Sequence, residues 1–326
     1  MTMDRRTFLQ NSSLLALSTS FWGCTPGGTD TQTAAAPEAA GATAEAKLAR
    51  IGITTVCIRS YFPSTRTMMA EPNTAPTINL EAAPAFINDH FGLKNVEVWD
   101  FHFDDMSLAY CERVRAAAER IGSRISNVQI DRLADLSDPD PAQRALGVTQ
   151  AKEWVDRVAA IGAPSFRVNT GGKEGQTFDV AVTSESFRQI ADYAGEKNVT
   201  VLVENHIGFS MDIDKVVAIL QTLDHPHCRA LADYGNTPAG STDDRVAGLQ
   251  KLFPYLAFVS AKGTGYNDQL EHSDYDFGAL VRATEASGYR GIYSVEMWPD
   301  GDSQPPADPI RAGNWMKDQV LANISA

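Results

Sequence analysis

From residue 49 onward, short β-rich runs alternate with stretches whose apolar residues recur every three or four positions. The runs predict strands at about Arg50–Val56, Val96–Trp99, Arg124–Ile130, Ser165–Asn169, Thr200–Glu204, Ala230–Asp233, Ala257–Ala261 and Ile292–Glu296. The longer period predicts helices over Leu108–Ile121 and Ala142–Ile161, stopped by Gly122 and Gly162, and over Ser184–Lys197 and Ile213–Leu223. Regular alternation of strand and helix is the pattern of an α/β protein with a parallel sheet. Eight strands in roughly 275 residues, with no glycine-rich turn after the first, predict a single (β/α)8 TIM barrel rather than a doubly wound sheet. The barrel is assigned residues 48–326.

The segment before it has a different character. Arg5-Arg6-Thr7-Phe8-Leu9, followed by an apolar stretch from Leu14 through Trp22, resembles a twin-arginine export signal over residues 1–24. Cys24 closes the apolar stretch as an acylated lipoprotein cysteine does, so the expected location is the periplasm, either free or lipid-anchored at Cys24. Residues 25–47, rich in Thr, Ala, Gly and Pro, read as a flexible linker. Three further cysteines, Cys57, Cys111 and Cys228, show no framework spacing, so buried free thiols are expected.

Charge narrows the partners. With 28 Lys plus Arg against 41 Asp plus Glu, the chain has a formal net charge of -13, which argues against nucleic acid. A barrel gathers its strand ends at one mouth, and four consecutive strands end in VLVENH, ALADYGN, FVSAKG and YSVEMW. Glu204, Asp233, Lys262 and Glu296 are therefore expected together. Three carboxylates in one place repel unless a cation neutralises them, and oxygen ligands favour a divalent ion such as Mn²⁺ or Mg²⁺.

These residues, with the segment DYDFGALVRATEASGYRGIYSVEMW at 274–298, resemble the xylose isomerase-like TIM barrels, a superfamily of sugar isomerases, epimerases and dehydratases. The resemblance implies one divalent metal, Mn first and Mg, Co or Zn as alternatives, with Glu204, Asp233 and Glu296 as ligands. The chain departs from the family at the seventh strand, where His-x-Lys is replaced by Ser260-Ala261-Lys262. The metal is then held by carboxylates and water, is joined by His206, or is lost.

The resemblance also implies roles. Glu204 and Glu296 are the proton-transferring pair of the family's epimerases, whereas His206, in a Glu-x-His arrangement, is the base of its dehydratases. Lys262 would polarise a carbonyl or stabilise an enediolate. Glu97, Trp99, His102, Arg167, Asn236 and Trp298 are candidate contacts for a small carbohydrate, the aromatics suiting sugar faces. Asn236 stands where epimerase relatives carry a substrate-binding His. The expectation is a metal-dependent isomerase or epimerase of an unphosphorylated ketose or keto-sugar. Its alternatives are a lyase or dehydratase acting on a 3-keto-glycoside or inosose-like substrate, and a metal-free carbohydrate-binding barrel. An endonuclease relative would need a zinc cluster richer in His than six His residues supply.

Overall fold

The computed structural model describes residues 37–66, 75–237, 240–298 and 308–325. The twin-arginine segment, Cys24 and the first part of the linker lie outside the described residues. Eight parallel strands close in sequence order: β1 (Ile51–Thr54), β2 (Asn95–Trp99), β3 (Arg124–Ile130), β4 (Ser165–Val168), β5 (Thr200–Glu204), β6 (Cys228–Asp233), β7 (Leu256–Gly263) and β8 (Tyr293–Met297). Helices α2 (Ala83–Phe91), α3 (Leu108–Glu119), α4 (Pro141–Ile161), α5 (Val180–Glu196), α6 (Ile213–Leu223), α7 (Thr242–Gln250), α8 (Phe277–Ala286) and α9 (Pro309–Asn323) follow the strands in turn. The expected TIM barrel is present.

Period-two alternation divides each strand between two environments. Outward residues such as Val96, Val128, Phe166, Val203, Ala232, Val259 and Val295 join one large core against the helices. Inward, Leu202, Leu231 and Phe258 make a small separate apolar plug, backed by Ile292. Two residues further along β5 and β6, and four further along β7 and β8, the inward positions are Glu204, Asp233, Lys262 and Glu296. The barrel is thus apolar towards its lower end and polar at its mouth.

Several boundaries differ from expectation for local reasons. β1 ends at Thr54 because its hydroxyl accepts from the Val56 N–H and caps a 3-10 turn over Thr55–Tyr61, so Val56 is not strand. Helix α5 starts at Val180, ahead of Ser184, since Asp179 accepts from the N–H groups of Ala181 and Val182. Pro141, in the first turn of α4, lacks only a donor that would go unused there. Residues 37–47, the later part of the stretch read as linker, lie in helix α1 (Pro37–Leu48), and Lys47 Nζ donates to the Leu321 carbonyl 3.4 Å away. Cys57, Cys111 and Cys228 are buried free thiols.

Candidate active site

At the mouth, a cavity of about 420 Å³ is lined by Val56, Trp99, Gln129, Asp131, Arg167, His206, Ile207, Met211, Asn236, Lys262, Glu296 and Trp298. That size suits a small molecule; such sites span about 300–1,000 Å³. Of the residues singled out in the sequence, Trp99, Arg167, His206, Asn236, Lys262, Glu296 and Trp298 meet on this surface. Glu204 and Asp233 are buried and outside the lining. Glu97 lies deeper, its carboxylate accepting from Asn127 Nδ2 at 2.8 Å while Oε2 has no hydrogen-bond partner. Burial, aided by the Glu296 charge, pushes its carboxyl up to about 7. His102 is turned away: both ring nitrogens meet threonine hydroxyls, Thr55 at 2.8 Å and Thr65 at 3.0 Å, and its ring stacks on Phe62.

One polar chain orients His206. Asp131 is gripped by Arg167 and by the Trp99 indole N–H at 2.7 Å; burial alone would raise its carboxyl, but the Arg167 charge outweighs it and keeps Asp131 ionised. An ionised carboxylate only accepts, so the Asn169 amide must point its NH₂ at Asp131, 3.0 Å away. The amide oxygen then faces His206 Nδ1 at 2.8 Å. That oxygen cannot donate, so Nδ1 carries the proton and Nε2 is left with its lone pair. Burial first, then Arg167 and Lys262, push the His206 imidazole down to about 3. The ring is neutral at ordinary pH, in the tautomer of a base.

The second cluster surrounds Lys262. Its ammonium lies 3.1 Å from Glu296 Oε1, 3.0 Å from Asn236 Oδ1 and 3.9 Å from Asp233 Oδ2. Burial opposes the charge, yet Glu296, Asp233 and Glu204 more than restore it and raise the lysine. The other Glu296 oxygen accepts from Gln129 Nε2 at 2.8 Å and from the Ser260 hydroxyl at 3.3 Å. Asp233 Oδ1 accepts from the Asn236 N–H at 2.8 Å. Arg167 brings its Nε to 2.7 Å from Glu204 Oε2; the approach is an ion pair without the alignment of a hydrogen bond.

This donor set does not fit the expected divalent ion. Both Glu296 oxygens already hold protein donors, Glu204 and Asp233 face protein cations, and Ser260, in the place of the expected His, donates to Glu296. Among the described residues no group of three or more His, Cys, Asp or Glu side chains is arranged to hold a metal.

Gln129, Asp131 and Asn169 matter to this geometry as much as the strand-end carboxylates do. A signal for the first two was present in the sequence: Asn127, Gln129 and Asp131 recur with period two in an otherwise apolar run, which places them on the inner face of β3 and its extension.

Comparison with known proteins gives a consistent picture. Residues 86–319 match the family described as Xylose isomerase-like TIM barrel. An L-ribulose-5-phosphate 3-epimerase of Salmonella paratyphi C is 25% identical over 143 residues, 42% of this chain and 50% of that protein. The chain therefore spans about half the length of the curated relatives it matches. Among solved structures, 3-keto-D-glucoside 4-epimerase from E. coli superposes with a TM-score of 0.61 at 17% identity, covering 82% of this chain and 99% of that one. D-allulose 3-epimerase from Methylomonas sp., in complex with D-allulose, gives 0.63 at 15%, covering 84% and 96%.

Proposed function

Because the chain belongs to the xylose isomerase-like TIM barrel family, we propose that it is an isomerase or epimerase of an unphosphorylated ketose or keto-sugar, acting through an enediolate in the mouth cavity. The observation that carries this reading is a base-form His206 and a charged Lys262 lining one cavity. His206 Nε2 takes the proton from the carbon beside the carbonyl. The C–H pair becomes the C=C bond, and the carbonyl π electrons move onto oxygen, where the Lys262 ammonium and the Asn236 amide stabilise the growing charge. That charge also offsets the cations that depress His206, so the ring becomes more basic as the reaction proceeds.

Return of the proton to the neighbouring carbon gives aldose–ketose isomerisation. Delivery to the opposite face gives epimerisation, for which Glu296 lines the cavity from β8, three strands around the barrel from β5. Trp99 and Trp298, whose ring centroids lie 6.1 Å apart, offer apolar faces to a sugar. An unphosphorylated substrate is favoured because the cavity's two cations, Arg167 and Lys262, are both engaged by carboxylates, so a phosphate would have to compete for them. Export to the periplasm, read from residues 1–24, points the same way.

A lyase is the second reading, and the rim favours it. Ile207, Met211 and Trp298 are 54%, 41% and 37% exposed around the cavity, an apolar collar of the kind that suits a non-sugar leaving group. With a leaving group β to the carbonyl, the same enediolate would expel it. Incubation with ketoses and 3-keto-glycosides in D₂O, followed by proton NMR, tests both. The expected result is exchange of the proton beside the carbonyl, abolished by His206→Ala, with a rearranged sugar for an isomerase or epimerase and a released fragment for a lyase. Sugar binding with no exchange on any of them would overturn the enzyme reading and leave a carbohydrate-binding barrel.

A further inference from the structure

We propose that the mouth of this barrel works with protein cations in the role a divalent ion would play: Lys262 supplies the charge that meets the substrate oxygen, and Arg167 neutralises the buried carboxylates beneath it. This rests on the enediolate reading of the cavity. Both side chains are almost wholly buried, at 3% exposure for Arg167 and 5% for Lys262, among Glu204, Asp233, Glu296 and Asp131. Unpaired carboxylates could not stay ionised in such a place. Here each faces an ammonium or guanidinium: against burial, Lys262 holds the Glu296 carboxyl down and Arg167 that of Asp131, while burial still outweighs the cations beside Glu204 and Asp233 and pushes both up.

The assignment of tasks follows from reach. Arg167 also lines the cavity, but its guanidinium is taken up by protein acceptors, its Nε facing Glu204 and its Nη1 on Asp131 and the Ile130 carbonyl. Lys262 lines the cavity, and its contacts with Glu296 and Asn236 hold the ammonium in place without neutralising it by proton loss. A divalent ion polarises a carbonyl through its charge and its fixed position. An ammonium locked by a carboxylate and an amide has both properties, and its presence about 3 Å from Glu296 repels a second cation from the same oxygens.

Ser260 completes the argument. Its small side chain, fully buried, leaves room for the lysine two positions along the same inner face and adds a hydrogen bond to Glu296 at 3.3 Å. An imidazole there would compete with Gln129 and Lys262 for Glu296.

The test is a metal titration of the full chain with Mn²⁺, read by electron paramagnetic resonance, after elemental analysis of the protein as isolated. The expected result is no stoichiometric metal, no tight Mn²⁺ binding, and proton exchange into the sugar unaffected by EDTA. About one ion per chain, lost on Glu204→Gln, would overturn the proposal. The Lys262→Met variant, checked for folding by circular dichroism, is expected to lose about 10²–10³-fold in exchange rate, and added divalent ions should not restore it. Exchange at the unaltered rate would overturn the proposal as well; if that variant does not fold, the titration of the unaltered chain decides alone. A metal-free chain that exchanges no sugar proton leaves the electrostatic assignment standing and refutes the enzyme reading, whereas a metal-bearing, active chain does the reverse.

Discussion

At the scale of single residues, the orientation of one amide decides what His206 can do. Asn169 is a positioning residue: it relays the acceptor character of Asp131 to His206 Nδ1 and so leaves Nε2 free. Replacing it with Ala should lower kcat by about 10²-fold or more, the usual weight of a well-placed base, with a much smaller change in KM. The more diagnostic readout is the pH profile. With His206 held down at about 3, its acid limb should lie well below pH 6.5 in the unaltered chain; loss of the partner at Nδ1 would let the ring turn and shift that limb. An unchanged profile and kcat in Asn169→Ala would return the contact to mere packing. These distances between strands were not legible in the sequence. Arg167 and Glu204 are 37 positions apart, and only the register of β4 against β5 tells that their side chains meet.

At the scale of elements, strand parity was legible and the loops were not. Once β5 was read from its apolar run, Glu204 and His206 had to share a face, and the same rule placed Asp233, Lys262 and Glu296. It failed for His102, because the 3-10 turn over Asp100–His102 breaks the alternation just past β2 and folds the ring onto Phe62. It was silent on how the loop after β5 is held. That loop leans on the one after β4: Phe209 N–H donates to the Gly171 carbonyl at 2.9 Å, and Gly208 adopts φ +66° beside it. A Cβ at Gly208 would collide with that carbonyl. The Gly208→Ala variant should therefore lose about 2 kcal/mol of stability. Because His206 is only two residues away, turnover should fall with it, whereas a variant with normal thermal denaturation and normal turnover would show that the loop can move aside.

For the whole molecule, the weak point of a closed sheet is the seam where the last strand meets the first. Here β8 pairs with β1, Ile51 opposite Tyr293, and the seam is fastened at its lower end by Glu285. That carboxylate takes Arg50 at 2.6 Å, the Tyr293 hydroxyl at 2.8 Å and the Ser325 N–H at 3.0 Å. Burial would raise its carboxyl, but the bonds from Arg50 and Ser325 prevail and hold it at about 2. A folded-state value below the unfolded one gives stability that is full above about pH 4.5 and lost as the pH falls towards 2. Urea denaturation across that window should show the loss, and Glu285→Gln should be weaker by about 2 kcal/mol at pH 7 and flatter in acid. An identical slope in the variant would place the acid sensitivity elsewhere. The same lower end receives α1, whose Lys47 reaches the last turn of α9. Parallel strands all run from that end towards the cavity, so Lys47 and the start of β1 lie at the end of the barrel away from Trp298. A barrel held to a resin by this lower end would keep its cavity turned towards the surrounding solution, with the apolar collar of Ile207, Met211 and Trp298 free to meet arriving molecules.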